Sequence, residues 1–403
     1  MKKHIALFLA LVMALSLFAG CGKTESPTVP ETSDTVQTPE TPAEPEVPAE
    51  PEEPEEEIPA TFQNLILIIG DGMGPGHETV GQLFEGETYS YTTWPNKTTV
   101  TTDSWNADGD AMATTDSSAA ATAIATGTLT RKNYAGKDKD GNDLETIMDI
   151  AKNMGKSVGI VTSDYLFEAT PAGFSAHTTN RDNKGEITVS QTTSNVDLLC
   201  GRDHDYYVEY YTEMFAQQNY YVAKDVSDTA ALMAAQKACL ILHLEDGSEQ
   251  EIALKDASLL GLDFLDRNEN GFVLMIEQAR IDNMSHDNKI AEMTENMISM
   301  NDTVDAVMAW IGDRKDTAVI VTADHDTGGL LASAMPDYPE VYDAGSAVAY
   351  YQWQSKNHTN TPVNLYVYGP KVDFAAISQY GTADQIQNVD IFTLMKQIIG
   401  VEG

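Results

Sequence analysis

Several apolar runs of this 403-residue chain end in acids or histidine. "NLILIIGDG" closes at Asp71, "FVLMIEQARID" reaches Glu277 and Asp282, and "AVIVTADHD" reaches Asp324 and His325. His286 follows Asp282 by four residues, the helical spacing that aims two side chains at one point. His358 stands in "NHTNT", just before another apolar run. Taken singly, Asp71 before Gly72 reads as a turn and Asp324 as a loop cap. Taken together, converging carboxylates repel one another unless cations lie among them. Zn²⁺ favours imidazole nitrogen with carboxylate oxygen, and Mg²⁺ favours oxygen alone. This set suits a pair of His-containing sites beside one all-oxygen site. Ser117, in "TTDSSAAATAIATG" (Thr114–Gly127), has two readings. Asp116 or Ser117 caps a helix start, or Ser117 is a nucleophile at the positive helix end, where an anion is also welcome.

These residues need elements that bring them to one place. The continuous apolar runs suit parallel strands buried on both faces. "SVGIVTSD", closing at Asp164, and "PVNLYVYG" (362–369) add two more; Asp164 reads as a turn or cap. Between them, Ile290, Met293, Met297, Met300, Val304, Val307 and Ile311 step by three and four, which predicts one helix with a single apolar stripe. Alternating strands and helices give a doubly wound α/β fold. Such sheets bind ligands beyond the carboxyl ends of their strands, where the acids stand.

With these residues in view, the chain resembles the alkaline phosphatases. "GDGMG" (70–74), "TDSSAAATA" (115–123), "EATPAGFSAHTTNR" (168–181), "EQARIDNMSH" (277–286), "VTADH" (321–325) and "HTNTPV" (358–363) match that family's motifs in order. The likeness runs from about residue 62 to the C-terminus and is weakest between 203 and 270. It implies a mostly parallel, doubly wound sheet flanked by helices, with an insertion between residues 182 and 270, often in a homodimer. It implies hydrolysis of phosphate monoesters through a phosphoserine on Ser117, with Arg181 gripping the phosphate. One Zn²⁺ is implied at Asp282, His286 and His358, and a second at Asp71, Ser117, Asp324 and His325. A Mg²⁺ is implied at Asp71, Thr170 and Glu277. Two positions depart from the family pattern. Glu168 replaces a common Asp or His near the third metal, and its oxygen favours Mg²⁺. Asn283 replaces a Lys or His that helps to hold phosphate. The rivals are hydrolysis of another ester by an enzyme of the same superfamily, such as a phosphodiesterase, and a non-catalytic phosphate-binding lipoprotein.

The first 21 residues read as a signal peptide of lipoprotein type, with Cys21 as the lipidated residue of an exported protein, held at the cell surface or in the periplasm. Residues 22–60, rich in Pro, Glu and Thr, read as a disordered stalk, and 61–403 as the catalytic domain. The stalk carries twelve acids and one lysine, and beyond it 50 acids face 21 basic residues. A surface that acidic argues against nucleic acid as a partner. Only Cys200 and Cys239 remain after Cys21, and pairing between them stays open. "DRNENGFVLMIE" (266–277) has the spacing of an EF-hand loop, but its second half reads as a buried strand. The tyrosines at 206, 207, 210, 211, 220 and 221 read as packing residues. His177 reads as a supporting residue; His77, His204 and His243 show no partner.

Overall fold

The computed structural model describes residues 61–203, 212–242, 244, 252–343 and 348–401. Its main sheet comprises β1 (Asn64–Gly70), β2 (Asn96–Thr101), β3 (Ser157–Tyr165), β4 (Leu198–Arg202), β5 (Tyr220–Ala223), β6 (Lys237–Leu242), β7 (Phe272–Gln278), β8 (Thr317–Thr322), β9 (Val363–Tyr368) and β10 (Gln385–Gln387). The strand order is β10-β2-β9-β8-β1-β7-β3-β4-β6-β5. From β8 through to β5 every pairing is parallel. Every residue of β1, β7 and β8 is buried, as their unbroken apolar runs require.

Helices flank this sheet in two groups. Among them are α1 (Pro75–Glu85), α2 (Ser117–Thr126), α3 (Ile147–Asn153), α4 (Ala169–Ser175), α5 (Lys184–Thr193), α6 (Leu254–Leu265), α7 (Arg280–His286), α8 (Ile290–Ile311) and α9 (Asn388–Ile399). α2 packs on α4 and α9, while α1, α6 and α7 pack on α8. The stripe on α8 is the one its sequence spacing predicts. Met293, Met297, Met300, Val304, Val307 and Ile311 are buried, and Ile290 packs on the edge of the core. Each such buried side chain contributes about 1.5–3 kcal/mol. α2 is buried at all ten positions, and its small residues let α4 approach closely. A Cβ on Gly173 of α4 would stand 2.6 Å from the Ala121 Cβ, so only glycine fits.

One strand departs from the parallel expectation. β9 runs antiparallel to β8. Its start, not its end, therefore lies where β8 finishes. That is why His358 precedes its strand while the acids follow theirs.

The stretch expected as an insertion, 182–270, supplies α5, β4, β5, β6 and α6, and its strands continue the main sheet. Tyr220 is buried there and donates to the Val196 carbonyl at 2.7 Å. Tyr221 packs against the same core. Tyr206, Tyr207, Tyr210, Tyr211, His204 and His243 lie outside the described residues, as do the signal segment with Cys21 and the stalk. Cys200 and Cys239 are free and buried on β4 and β6. Asp266 receives both terminal nitrogens of Arg314, at 2.7 and 2.6 Å, and the chain then turns into β7. That segment is a turn. Asp164 accepts from the Tyr165 backbone at 2.8 Å, and His177 Nε2 lies 3.0 Å from the Leu144 carbonyl. Among the described residues, no helix is long and apolar enough to cross a membrane.

Candidate active site

Three adjacent central strands deliver the acids. Asp324 and His325 follow β8, Asp71 follows β1, and Glu277 closes β7, with Asp282 and His286 on α7 just after it. The β1 turn depends on Gly72, whose φ is +73°; a Cβ there would meet the Asp282 Cα at 2.9 Å. His358 arrives on a two-residue strand paired with Asp326–Thr327.

At the start of α2 the two residues concerned by the two readings of "DSS" stand side by side. Asp116 is the cap: its Oδ1 accepts from the Ala119 backbone N–H at 3.1 Å. Ser117 is left as the first helical residue, buried, with its Oγ 3.1 Å from His325 Nε2 and 3.5 Å from Asp71 Oδ1. Asp116 Oδ2 also lies 3.5 Å from Arg181 Nη1, so the capping acid holds the arginine.

The imidazoles face one another and the acids across the pocket. His286 Nδ1 lies 2.5 Å from the Lys356 carbonyl, and His358 Nδ1 lies 2.9 Å from the Thr115 carbonyl. A carbonyl only accepts, so both Nδ1 atoms carry hydrogen and both Nε2 atoms present lone pairs in the neutral rings. Those Nε2 atoms face each other at 3.1 Å. Asp282 closes the group, 3.4 Å from one and 3.5 Å from the other. His325 behaves alike. Thr327 Oγ1 donates to Asp282 and therefore accepts from His325 Nδ1 at 3.2 Å, which leaves Nε2 bare, 3.3 Å from Asp324 and 3.5 Å from Asp71. Lone pairs and carboxylate oxygens so opposed repel unless a cation sits between them.

The ionisation of the pocket follows the same physics. Burial first, then Asp324, Asp282 and Glu277, raise the Asp71 pKa well above its usual value. Burial likewise raises Asp324 to about 7 and Glu277 to about 8, the latter against the Thr162 and Thr170 hydroxyls. His325 is pushed well down, by burial and then by the facing His358. The Asp282 side chain draws His286 up to about 9, so a proton and a metal ion compete for one lone pair.

Two buried atoms also wait for a partner. Asp324 Oδ1 accepts from the Gly72 and His325 backbones, but its Oδ2 has no hydrogen bond. Thr170 Oγ1, beside Glu277, has none of good geometry. The gathered donors overlap the sets the resemblance implies, with His325 in place of His286 in the first. Asp282, His325 and His358 offer ligand atoms within 4.8 Å of one another, and so do Asp71, Asp324 and His325. Asp71, Glu277 and Thr170 are the oxygen-only candidates for Mg²⁺. Glu168 caps α4 and turns toward Lys184 (3.4 Å) and Arg181 (4.0 Å), while Asn283 is exposed on α7.

An alkaline phosphatase family model matches residues 62–207 and 236–399. The chain belongs to the alkaline phosphatase family. Alkaline phosphatase 4 of Bacillus subtilis is 32% identical over 300 residues, 68% of this chain and 64% of that protein. Alkaline phosphatase 3 of the same species is 28% identical over 291 residues, 68% of this chain and 63% of that one. The chain thus spans just under two thirds of these relatives' length. The fold is shared with the solved alkaline phosphatase of the Antarctic bacterium TAB5, at a TM-score of 0.74 and 24% identity, covering 86% of this chain and all of that one. The 208–235 gap in the family match falls within the outer sheet, around β5.

Three residues that shape this pocket went unseen in the sequence. Thr327 ties Asp282 to His325. His77, given no partner, accepts from the Gly74 backbone and reaches Ser285 Oγ at 3.0 Å, between Asp282 and His286. Lys184 meets Glu168. The signal for Thr327 was its place beside "DH"; His77 and Lys184 had none.

Proposed function

We propose that this chain is a metal-dependent phosphomonoesterase that works through a phosphoserine on Ser117. The observation that carries the reading is the meeting of the His286, His325 and His358 Nε2 atoms with buried carboxylates beside the Ser117 hydroxyl. Asp282, His286 and His358 would hold one Zn²⁺, and Asp71, Asp324, His325 and Ser117 a second. Asp71, Thr170 and Glu277 would hold Mg²⁺, with Glu168 an oxygen neighbour that suits this ion. Variants of the TAB5 enzyme solved with Mg bound in their M3 site support that choice. When bound, these cations supply Lewis-acid charge that makes a serine hydroxyl and a water nucleophilic near neutral pH.

The chain's own residues do the rest. Asp116 fixes the start of α2, so Ser117 Oγ approaches phosphorus from a rigid helix end whose free N–H groups favour an anion. Arg181 forks onto two phosphate oxygens, a grip lysine cannot make. Thr327 fixes the His325 tautomer that leaves Nε2 facing Ser117. The exported, lipid-anchored form read from the first 21 residues and the homodimer implied by the resemblance are part of the same proposal. The test is metal content and p-nitrophenyl phosphate turnover of the full chain before and after chelation. Zinc with magnesium should restore at least about a thousandfold in rate. A chain that binds phosphate without zinc, or turns over the bis-ester faster, overturns the reading.

A further inference from the structure

Glu168 sits between two cations. Its Oε2 lies 4.0 Å from Arg181 Nη2, and its Oε1 lies 3.4 Å from Lys184 Nζ. On its other side Arg181 is held by Asp116 at 3.5 Å. The arginine that must grip a phosphoryl group is therefore flanked by two carboxylates, each competing for its fork. Lys184 offsets one of them.

Its placement is specific. The ammonium lies 4.3 Å from the Phe167 ring centroid, a face that orients a cation, and Phe167 is fully buried. Lys184 is also the first residue of α5, the helix end where a positive charge is disfavoured and an acid is normal. The buried acids across the pocket, Asp71, Asp282 and Asp324, all repel an incoming phosphate. Arg181 and Lys184 are the cations that act on Glu168, and Asn283 on the exposed side of α7 carries no charge.

We propose that Lys184 is a positioning residue for phosphate: it draws Glu168 off Arg181 and adds positive charge on the flank of the phosphoryl site. This rests on the reading of Ser117 and Arg181 above. Lys184 reaches the phosphate-gripping Arg181 through Glu168, whereas His286 and His358 group with Asp282, so it governs phosphate retention and not the choice of alcohol. Phosphate release then becomes the step it slows.

The test uses the metal-loaded full chain with Lys184→Gln and Lys184→Arg. Calorimetry measures inorganic phosphate binding, and steady-state kinetics measure monoester turnover. Lys184→Gln should raise the phosphate Kd and the KM together, by about five- to tenfold, without lowering kcat. Lys184→Arg should restore most of the loss, and thermal melting should not shift, because Lys184 is partly exposed. An unchanged phosphate Kd in Lys184→Gln overturns the inference, as does a fall in kcat at constant KM. A wild-type chain inactive on monoesters would instead sink the phosphomonoesterase reading, and the calorimetric comparison would still judge Lys184.

Discussion

Among the buried carboxylates of the described residues, two groups are answered in different ways. Beside Ser117, Asp71, Asp282, Asp324 and Glu277 gather with the Nε2 atoms of His286, His325 and His358. Beneath β9, Glu78 of α1 stands alone, accepting from Asn364 Nδ2 at 2.6 Å and the Tyr366 hydroxyl at 3.1 Å. Burial raises the carboxyl pKa of Asp71 in the one and of Glu78 in the other. The neighbours decide the remedy. Glu78 is surrounded by neutral groups, and a single proton removes its charge. The Ser117 cluster holds more acceptors than protons can serve, and its lone pairs oppose one another, so it calls for cations.

The largest effect should come from breaking the crowded side of that contrast. Asp324→Asn keeps an oxygen for the Gly72 and His325 backbone donors but removes a charge from the cluster. Monoester turnover should fall at least about a thousandfold. The metal-free protein should melt at a higher temperature near pH 8, because one buried, repelled carboxylate has gone. Function and apo stability thus move in opposite directions. If the metal-free variant melts lower than wild type, the account of the pocket as a repulsive cluster is wrong.

Thr327→Val should cost less. The side chain keeps its shape but loses the hydroxyl that donates to Asp282 and accepts from His325. Zinc affinity, followed by competition with a chromophoric chelator, should weaken by about ten- to a hundredfold. Unchanged affinity would show that the packing around His325 alone sets its orientation.

How legible this was in the sequence depended on where each contact lies. Asp71, Glu277, Asp324 and His325 could be read because each follows an unbroken apolar run, and a parallel sheet collects such ends at one edge. His358 could be placed only through the family motif, since the antiparallel sense of β9 leaves no mark in "PVNLYVYG". Strands β4 to β6 were hidden within the supposed insertion, where the tyrosines suggest packing without suggesting order. Thr327 and His77 act across elements far apart in the chain, His77 meeting Ser285 208 residues away, and Lys184 reaches back 16 residues to Glu168. Hydroxyls, lone histidines and lysines at such separations have no periodicity to betray them.

The smallest effect sharpens the quiet side of the comparison. Glu78 has its carboxyl raised to about 7 by burial, against the Asn364 and Tyr366 bonds that favour ionisation. In the unfolded chain it titrates at the ordinary value near 4.5. Between these two pH values the folded state binds the proton that the unfolded state has lost, so stability falls as pH rises and levels off above about 7. The loss amounts to roughly 3 kcal/mol in all. Glu78→Gln keeps an acceptor for Asn364 and Tyr366 but cannot ionise. Its melting temperature should therefore gain on wild type as pH goes from 5 to 8, by several degrees, with monoester turnover unchanged. Its amide nitrogen takes the place of Glu78 Oε1, which lacks a partner, as does the nearby Tyr91 hydroxyl. Comparing the two proteins at each pH cancels the shared pH dependence of the metal ligands. Parallel melting curves across that range would show that Glu78 stays ionised when folded, and that burial alone does not separate the two carboxylate sites.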